Sequence, residues 1–192
     1  MEYIIIIIGT VLVSNIVLAN FLGICPFLGV SGKISTAAGM SGAVLFVMTV
    51  AVIVTWLIQT YILDPLSLGF LQTISFILVI ASLVQVVEII LKKVSPPLYQ
   101  ALGVFLPLIT TNCAIMGVAL LVVQKDYNLL EGTIYAIGNS IGFALALVLF
   151  AGLREHLELM DVPKGMRGMP IALVVAGILS LAFMGFANLV KF

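Results

Sequence analysis

The sequence predicts an all-α integral membrane protein of six transmembrane helices. We expect two inverted three-helix repeats in which helices 1 and 4 are interrupted. The composition, the spacing of the charged residues and a similarity between two cysteine segments support this prediction. Of the 192 residues, 63% are hydrophobic and 8% are charged, whereas globular chains have about 45–50% apolar and about 25% charged residues. Lipid must therefore surround most of the chain, and its zero net charge argues against nucleic acid as a partner.

Eight basic and eight acidic side chains divide the sequence into six stretches that are uncharged or nearly so. Each stretch reaches the length of about 20 residues that a bilayer span needs. The stretches are Tyr3–Gly32, Ile34–Leu63, Pro65–Leu91, Val94–Gln124, Gly132–Leu153 and Gly168–Val190. The first lacks the basic flank and the cleavage site of a signal peptide, so we expect it to remain as the first span. The chain is predicted to form one membrane domain, 1–192, with repeat A at about 1–93 and repeat B at about 94–192.

Two of the six stretches contain residues that disfavour a continuous helix. The first includes Gly23-Ile24-Cys25-Pro26, and the fourth includes Pro107 and the polar run Thr110-Thr111-Asn112-Cys113. Proline lacks a backbone donor, and threonine and asparagine side chains compete for backbone partners. We therefore predict half-helices joined by short unwound segments. Such backbone is tolerated at membrane depth only where protein or a cavity covers it.

The basic residues predict the orientation of the chain. Six lie in the loops after helices 1, 3 and 5, and two lie on the opposite side. The six are Lys33, Lys92, Lys93, Arg154, Lys164 and Arg167, and the two are Lys125 and Lys191. By the positive-inside rule, the odd-numbered loops are cytoplasmic, with Arg154–Arg167 as the main loop, and both termini are extracytoplasmic.

A weak internal repeat supports the inverted arrangement. A shift of 88 residues aligns four pairs of identical residues. The pairs are Cys25 with Cys113, Leu18 with Leu106, Gly29 with Gly117 and Val30 with Val118. Both cysteines fall in the predicted interruptions. A unit of three helices reverses direction in the membrane, so the two interruptions are expected to face each other about a pseudo-two-fold axis.

The two cysteines are the candidate ligands of a metal centre. A [2Fe–2S] cluster normally takes four thiolates, so two from one chain imply two more from a second chain. The free N–H groups at the start of a half-helix favour an anionic cluster. Other interpretations remain open: each cysteine could be a small buried hydrophobic residue, the two could form a disulfide, or four thiolates could hold zinc.

Several other polar residues are weaker candidates. Glu88 is the only acid within a hydrophobic stretch, and an ion pair with Lys92 one turn later is its simplest role. His156 lies among charged residues and predicts a solvated or docking surface. Gly138–Gly142 predicts a close-packing helix face. Four asparagines could line an ion path or form interhelical hydrogen bonds: Asn15, Asn20, Asn112 and Asn139. No nucleotide loop, catalytic triad or flavin-attachment motif is apparent, so no catalytic residue is assigned.

The two cysteine segments, Leu22–Ser31 and Phe105–Gly117, resemble the signature segments of the RnfA/NqrE family. The similarity runs nearly end to end, and it is closer to the branch found in ferredoxin:NAD oxidoreductase (Rnf) complexes than to the NqrE branch. The Thr-Thr-Asn-Cys-Ala run indicates this branch. Further similar segments are Tyr61–Leu66, Phe76–Ala81, Asp161–Gly168 and Ser180–Phe186.

The resemblance implies an electron-transfer subunit of a redox-driven Na⁺ or H⁺ pump in a bacterial or archaeal plasma membrane. It implies that Cys25 and Cys113 ligate a [2Fe–2S] cluster shared with a homologous subunit of opposite topology, which is RnfE-like. Flavins and further iron–sulfur clusters would lie on other subunits. The alternatives are an NqrE-type subunit of a Na⁺-translocating NADH:quinone oxidoreductase, a small secondary transporter, and a structural scaffold.

Overall fold

The described part of the computed structural model comprises residues 2–66, 69–94, 106–161, 163 and 165–186, and helices are its only regular secondary structure. The α-helices are α1 (Glu2–Ile8), α2 (Ile24–Gly29), α3 (Ile34–Ile58), α4 (Asp64–Leu66), α5 (Gln72–Val94), α6 (Leu106–Thr110), α7 (Cys113–Gln124), α8 (Leu129–Glu158) and α9 (Met169–Met184). Helices α1 and α3 continue as π-helical turns at Gly9–Val13 and Gln59–Leu63, and a 3₁₀ turn, Gly69–Leu71, precedes α5.

Four helical segments are long and apolar enough to cross a membrane, and two apolar helices are shorter. The four long segments, among the described residues, are Ile34–Leu63, Gly69–Ile90, Pro107–Gln124 and Leu129–Glu158. The two shorter helices are Ile4–Val13 and Met169–Met184. Large apolar side chains face outward on them, such as Ile74 and Leu78 of α5, which are 61% and 65% exposed. Such surfaces are suited to lipid rather than water, which agrees with the predicted membrane class.

Helix α8 lies at the centre of the molecule and packs most extensively against α3. It begins at a capping box, in which the Glu131 carboxylate accepts a hydrogen bond from Asn128 N at 3.1 Å. Farther along, Phe143 and Phe150 are fully buried. The Phe150 ring stacks on Phe27 of α2, with 4.3 Å between the ring centroids. The half-helix that carries Cys25 is thereby fixed against α8.

The glycine face predicted at Gly138–Gly142 lies against the π-helical turn Gly9–Val13. A Cβ at Gly142 would lie 3.1 Å from Thr10 O and 3.2 Å from Asn15 Nδ2, and a Cβ at Gly138 would overlap the Thr10 hydroxyl. The prediction of a close-packing face is confirmed, since two polypeptide backbones approach where these residues lack side chains.

We expect Gly142→Ala to destabilise the protein. Alanine favours helix by up to about 1 kcal/mol over glycine, but the added methyl group meets backbone that cannot move freely, and overpacking costs about 1–3 kcal/mol. Gly152→Ala is the matched control, because a Cβ there meets nothing within 4 Å in the same helix. Thermal unfolding of the purified protein in detergent measures the difference. Equal melting temperatures for the two variants would contradict the expectation.

Both predicted interruptions are present, but their boundaries differ from the prediction. In the first, the non-helical segment covers residues 14–23, while Cys25 and Pro26 lie in the first turn of α2. In the second, α6 ends at Thr110 and α7 begins with Cys113. The cysteines therefore start half-helices instead of lying in unwound backbone. Proline is tolerated in a first helical turn, where its missing N–H would have no intrahelical partner.

The predicted cytoplasmic loop Arg154–Arg167 is shorter than expected. Helix α8 continues through Glu158, so Arg154 and His156 lie on its last turns. Charged side chains do not end a helix, and long ones can extend from an apolar stem into water. The first charged residue, Arg154, therefore indicates where the apolar part of the span ends. It does not indicate where α8 ends. Lys164 and Lys191, which contribute to the predicted orientation, lie outside the described residues.

Candidate functional site

The first interruption is held in place by two buried polar side chains. Asn15 Oδ1 accepts hydrogen bonds from Val17 N at 3.1 Å and Leu18 N at 3.3 Å, and its Nδ2 donates to Gly142 O at 2.8 Å. From α9, the Ser180 hydroxyl donates to Leu18 O at 2.7 Å. Protein side chains thus pair with Val17 N, Leu18 N and Leu18 O of the unwound segment, as backbone at membrane depth requires.

The second interruption is short and is capped by Asn112. This residue has an extended backbone, and its Oδ1 accepts a hydrogen bond from Ala114 N at 3.0 Å, the usual geometry of an N-cap. Asn112 is buried, and its Nδ2 has no hydrogen-bond partner among the described residues. At the start of α7, Ala114 N and Ile115 N are thus paired with Asn112, and Asn112 Nδ2 is a side-chain donor next to Cys113 that has no partner among the described residues.

The two interruptions meet. Gly23 N, at the end of the first, donates a hydrogen bond to Cys113 Sγ at 2.9 Å. Leu22 lies against α7, where a Cβ on Gly117 would come within 2.5 Å of Leu22 Cδ1. The Cα of Cys25, two residues after Gly23, therefore lies within about 12 Å of Cys113 Sγ. The sequence predicted that the interruptions face each other, and the described residues bring them into contact.

Both thiols are free and exposed. The interpretation of the cysteines as small buried hydrophobic residues is wrong for this structure, and so is a disulfide between them. Each cysteine lies in the first turn of a half-helix, where no preceding turn of the same helix lies beneath the side chain. Two neighbouring free thiols at helix N-termini fit a shared metal–thiolate centre.

The donor set is compatible with a [2Fe–2S] cluster whose other ligands come from elsewhere. Thiolates are the usual ligands of such clusters, and N–H donors around the sulfurs stabilise the anionic centre. Within the described ranges, no group of three or more His, Cys, Asp or Glu side chains could hold a metal ion. Cys25 and Cys113 of this chain could supply two of the four thiolates.

The structure separates the four candidate asparagines. Asn15 is used entirely in hydrogen bonds to backbone, and Asn20 is exposed. Asn139 is fully buried on α8, where its Nδ2 donates to Tyr135 O at 2.9 Å while its Oδ1 has no partner among the described residues. The hydrogen-bonding role accounts for Asn15, and Asn112 and Asn139 each keep one polar atom that no described residue pairs with.

Three titratable residues lie near the predicted cytoplasmic side. Glu88 is half-buried in α5, one turn before Lys92, and His156 is exposed on α8. Arg154 Nη1 donates to Leu28 O and to Ser31 Oγ, both at 2.8 Å, and so caps the C-terminal end of α2. Sequence reasoning missed this contact because no local pattern links residues more than a hundred positions apart.

The chain is similar along its length to known membrane proteins. A family model described as Rnf-Nqr subunit, membrane protein, matches residues 3–190. One relative, from the Na⁺-translocating ferredoxin:NAD⁺ oxidoreductase complex of Acetobacterium woodii, is 58% identical over 189 residues, covering 98% of each chain. Another, from the ion-translocating oxidoreductase complex of Syntrophotalea carbinolica, is 61% identical over 185 residues, covering 96% of each chain.

A third relative, from the ion-translocating oxidoreductase complex of Pseudoalteromonas translucida, is 56% identical and covers 100% of this chain and 99% of its own. The family match at residues 3–190 includes both cysteine segments. The resemblance to the RnfA/NqrE family predicted from the signature segments is confirmed. This chain belongs to the Rnf-Nqr family of membrane protein subunits.

Proposed function

We propose that this chain is the electron-transferring membrane subunit of an ion-translocating ferredoxin:NAD oxidoreductase complex. One observation carries the proposal: the two cysteine-bearing half-helices meet through the Gly23–Cys113 hydrogen bond, and both thiols are free and exposed. A secondary transporter can also have interrupted helices, but it has no need of a cysteine at the start of each half-helix. The names of the relatives described above agree with the redox function.

Cys25 and Cys113 would hold half of a [2Fe–2S] cluster, with two thiolates from a partner. When bound, the cluster would supply a one-electron relay within the membrane, where the hydrocarbon layer of about 30 Å is too thick for a single useful electron hop. The residues of this chain would position it. Asn112 starts α7 at the site, Asn15 fixes the unwound segment, and the Phe27–Phe150 stack anchors α2.

The exposure of both thiols supports a partner that covers them. We infer a homologous subunit of opposite topology, because a pseudo-symmetric partner would present an equivalent pair of cysteines. In this proposal the chain has six spans in one domain, with repeat A at about 1–93 and repeat B at about 94–192. The contact between the interruptions supports such an inverted repeat.

We expect the purified complex to contain more iron and acid-labile sulfide than its other subunits account for. We expect this chain to lack a cluster when it is expressed alone. Iron and sulfide analysis of this chain co-purified with only its homologous partner measures this directly. A visible absorption spectrum adds a second readout, because a transporter would be colourless. A full cluster in a monomeric preparation of this chain would contradict the sharing of ligands, and a colourless, iron-free pair would contradict the proposed function.

We also expect both termini to be extracytoplasmic. Arg154 joins the end of α8 to the end of α2, while Trp56 Nε1 donates to Tyr127 O at 3.0 Å and joins the end of α3 to the end of α7. These contacts agree with the topology that the basic residues predict, in which the ends of α2 and α8 lie on the cytoplasmic side and the ends of α3 and α7 lie on the opposite side. A reporter that is active only in the cytoplasm should be inactive when fused after Phe192 and active when fused after Met160. The reverse pattern would invert the orientation.

A further inference from the structure

The hydrogen bond between Gly23 and Cys113 links two segments that are distant in the sequence. Its donor is the last residue of the first interruption, and its acceptor is the first side chain of α7. The N···S distance is 2.9 Å. A backbone donor cannot rotate away from its acceptor as a side chain can, so its direction is fixed by the fold of the interruption.

The position of this donor requires glycine. Gly23 has φ +82°, a left-handed conformation that other residues rarely adopt. A Cβ there would lie 3.0 Å from Phe143 Cε2, 3.1 Å from Ala114 Cβ and 3.2 Å from Asn112 Oδ1. Any side chain would therefore both strain the backbone and push the interruption away from α7, which would lengthen the hydrogen bond.

We propose that Gly23 is a positioning residue that raises the reduction potential of the cluster through its N–H donation to the Cys113 thiolate. The inference rests on the proposed function, since it takes Cys113 as a ligand. Reduction adds one negative charge to a cluster held here. A hydrogen bond to a ligand sulfur stabilises the more negative state more strongly, and so it raises the potential.

Leu22 keeps the donor in place. Its side chain is half-buried and lies against α7, with Gly117 directly beneath Leu22 Cδ1. Removing this side chain would loosen the interruption without adding bulk or backbone strain. Leu22→Ala thus tests the same hydrogen bond by a gentler change than Gly23→Ala.

The test is an EPR-monitored redox titration of the cluster in the complete complex. Gly23→Ala should shift the midpoint potential to a lower value, and Leu22→Ala should shift it in the same direction by a smaller amount. Gly32→Ala is the control, since a Cβ at Gly32 meets nothing within 4 Å, and its potential should equal that of the wild type. Pulsed EPR of complex labelled with [¹⁵N]glycine should show a glycine nitrogen coupled to the reduced cluster, and that coupling should weaken in Leu22→Ala.

The outcomes separate the inference from the proposed function. If the wild-type complex has no cluster signal that depends on Cys113, the proposed function fails. Two results would refute the role of Gly23 in a complex that has this signal. One is that no glycine nitrogen couples to the cluster, and the other is that Leu22→Ala leaves both the coupling and the midpoint potential unchanged. Should Gly23→Ala prevent assembly, the labelled wild-type and Leu22→Ala complexes still decide the question.

Discussion

Replacing Cys113 or Cys25 by serine is expected to abolish electron transfer between ferredoxin and NAD. Serine has nearly the size of cysteine but offers a hydroxyl in place of the thiolate by which [2Fe–2S] clusters are usually held. We expect the rate of ferredoxin-driven NAD reduction to fall by more than about 100-fold. Losing only a hydrogen-bond partner of a metal ligand costs up to about 100-fold, and losing the ligand itself should cost more. The measurements are ferredoxin-driven NAD reduction and ion uptake in proteoliposomes, with the iron content determined on the same samples.

Thr111→Ala is the matched control for the cysteine variants. Thr111 is an exposed residue of the second interruption, two positions before Cys113, and its hydroxyl donates to Pro107 O at 2.9 Å. Its activity should remain close to that of the wild type. Wild-type electron transfer in either serine variant would remove the cluster from the pathway. Intact electron transfer with lost ion uptake would instead assign the cysteines to the coupling of the two processes.

Asn15→Leu is expected to be the most destabilising single substitution of a polar residue in the first interruption. Leucine branches at Cγ as asparagine does but is larger, and it leaves Val17 N, Leu18 N and Gly142 O without their present partners. Each unsatisfied buried group costs about 1–3 kcal/mol, so a loss of about 3 kcal/mol or more is expected. The yield and the melting temperature of the purified complex measure this loss.

Asn20→Leu is the matched control for Asn15→Leu, because Asn20 belongs to the same non-helical segment and is exposed. We expect it to leave the melting temperature nearly unchanged. The pair also tests the alternative in which these asparagines line an ion path. Normal stability of Asn15→Leu together with lost ion uptake would favour that path over the hydrogen-bonding role.

The interruptions were predictable because their causes are local. Pro26 and Pro107 each lie in the first turn of a described half-helix and Asn112 caps another, so these residues mark the interruptions locally, although neither proline lies in non-helical backbone. Their boundaries were less predictable. The first non-helical segment begins nine residues before Gly23, at Ser14, because Asn15 bonds to α8 and Ser180 of α9 bonds to Leu18. Those partners come from distant parts of the chain, so no local pattern could show them.

Composition and short motifs were enough to predict the membrane class, the family, the candidate cysteines and the glycine face of α8, because these are properties of the chain before it folds. Three features became visible only in the folded chain: both thiols are free and exposed, Arg154 caps α2, and Gly23 donates to Cys113. The two contacts join residues about 90 or more positions apart. Such distances are set by the packing of α2, α7 and α8 together, and not by the preference of any one segment.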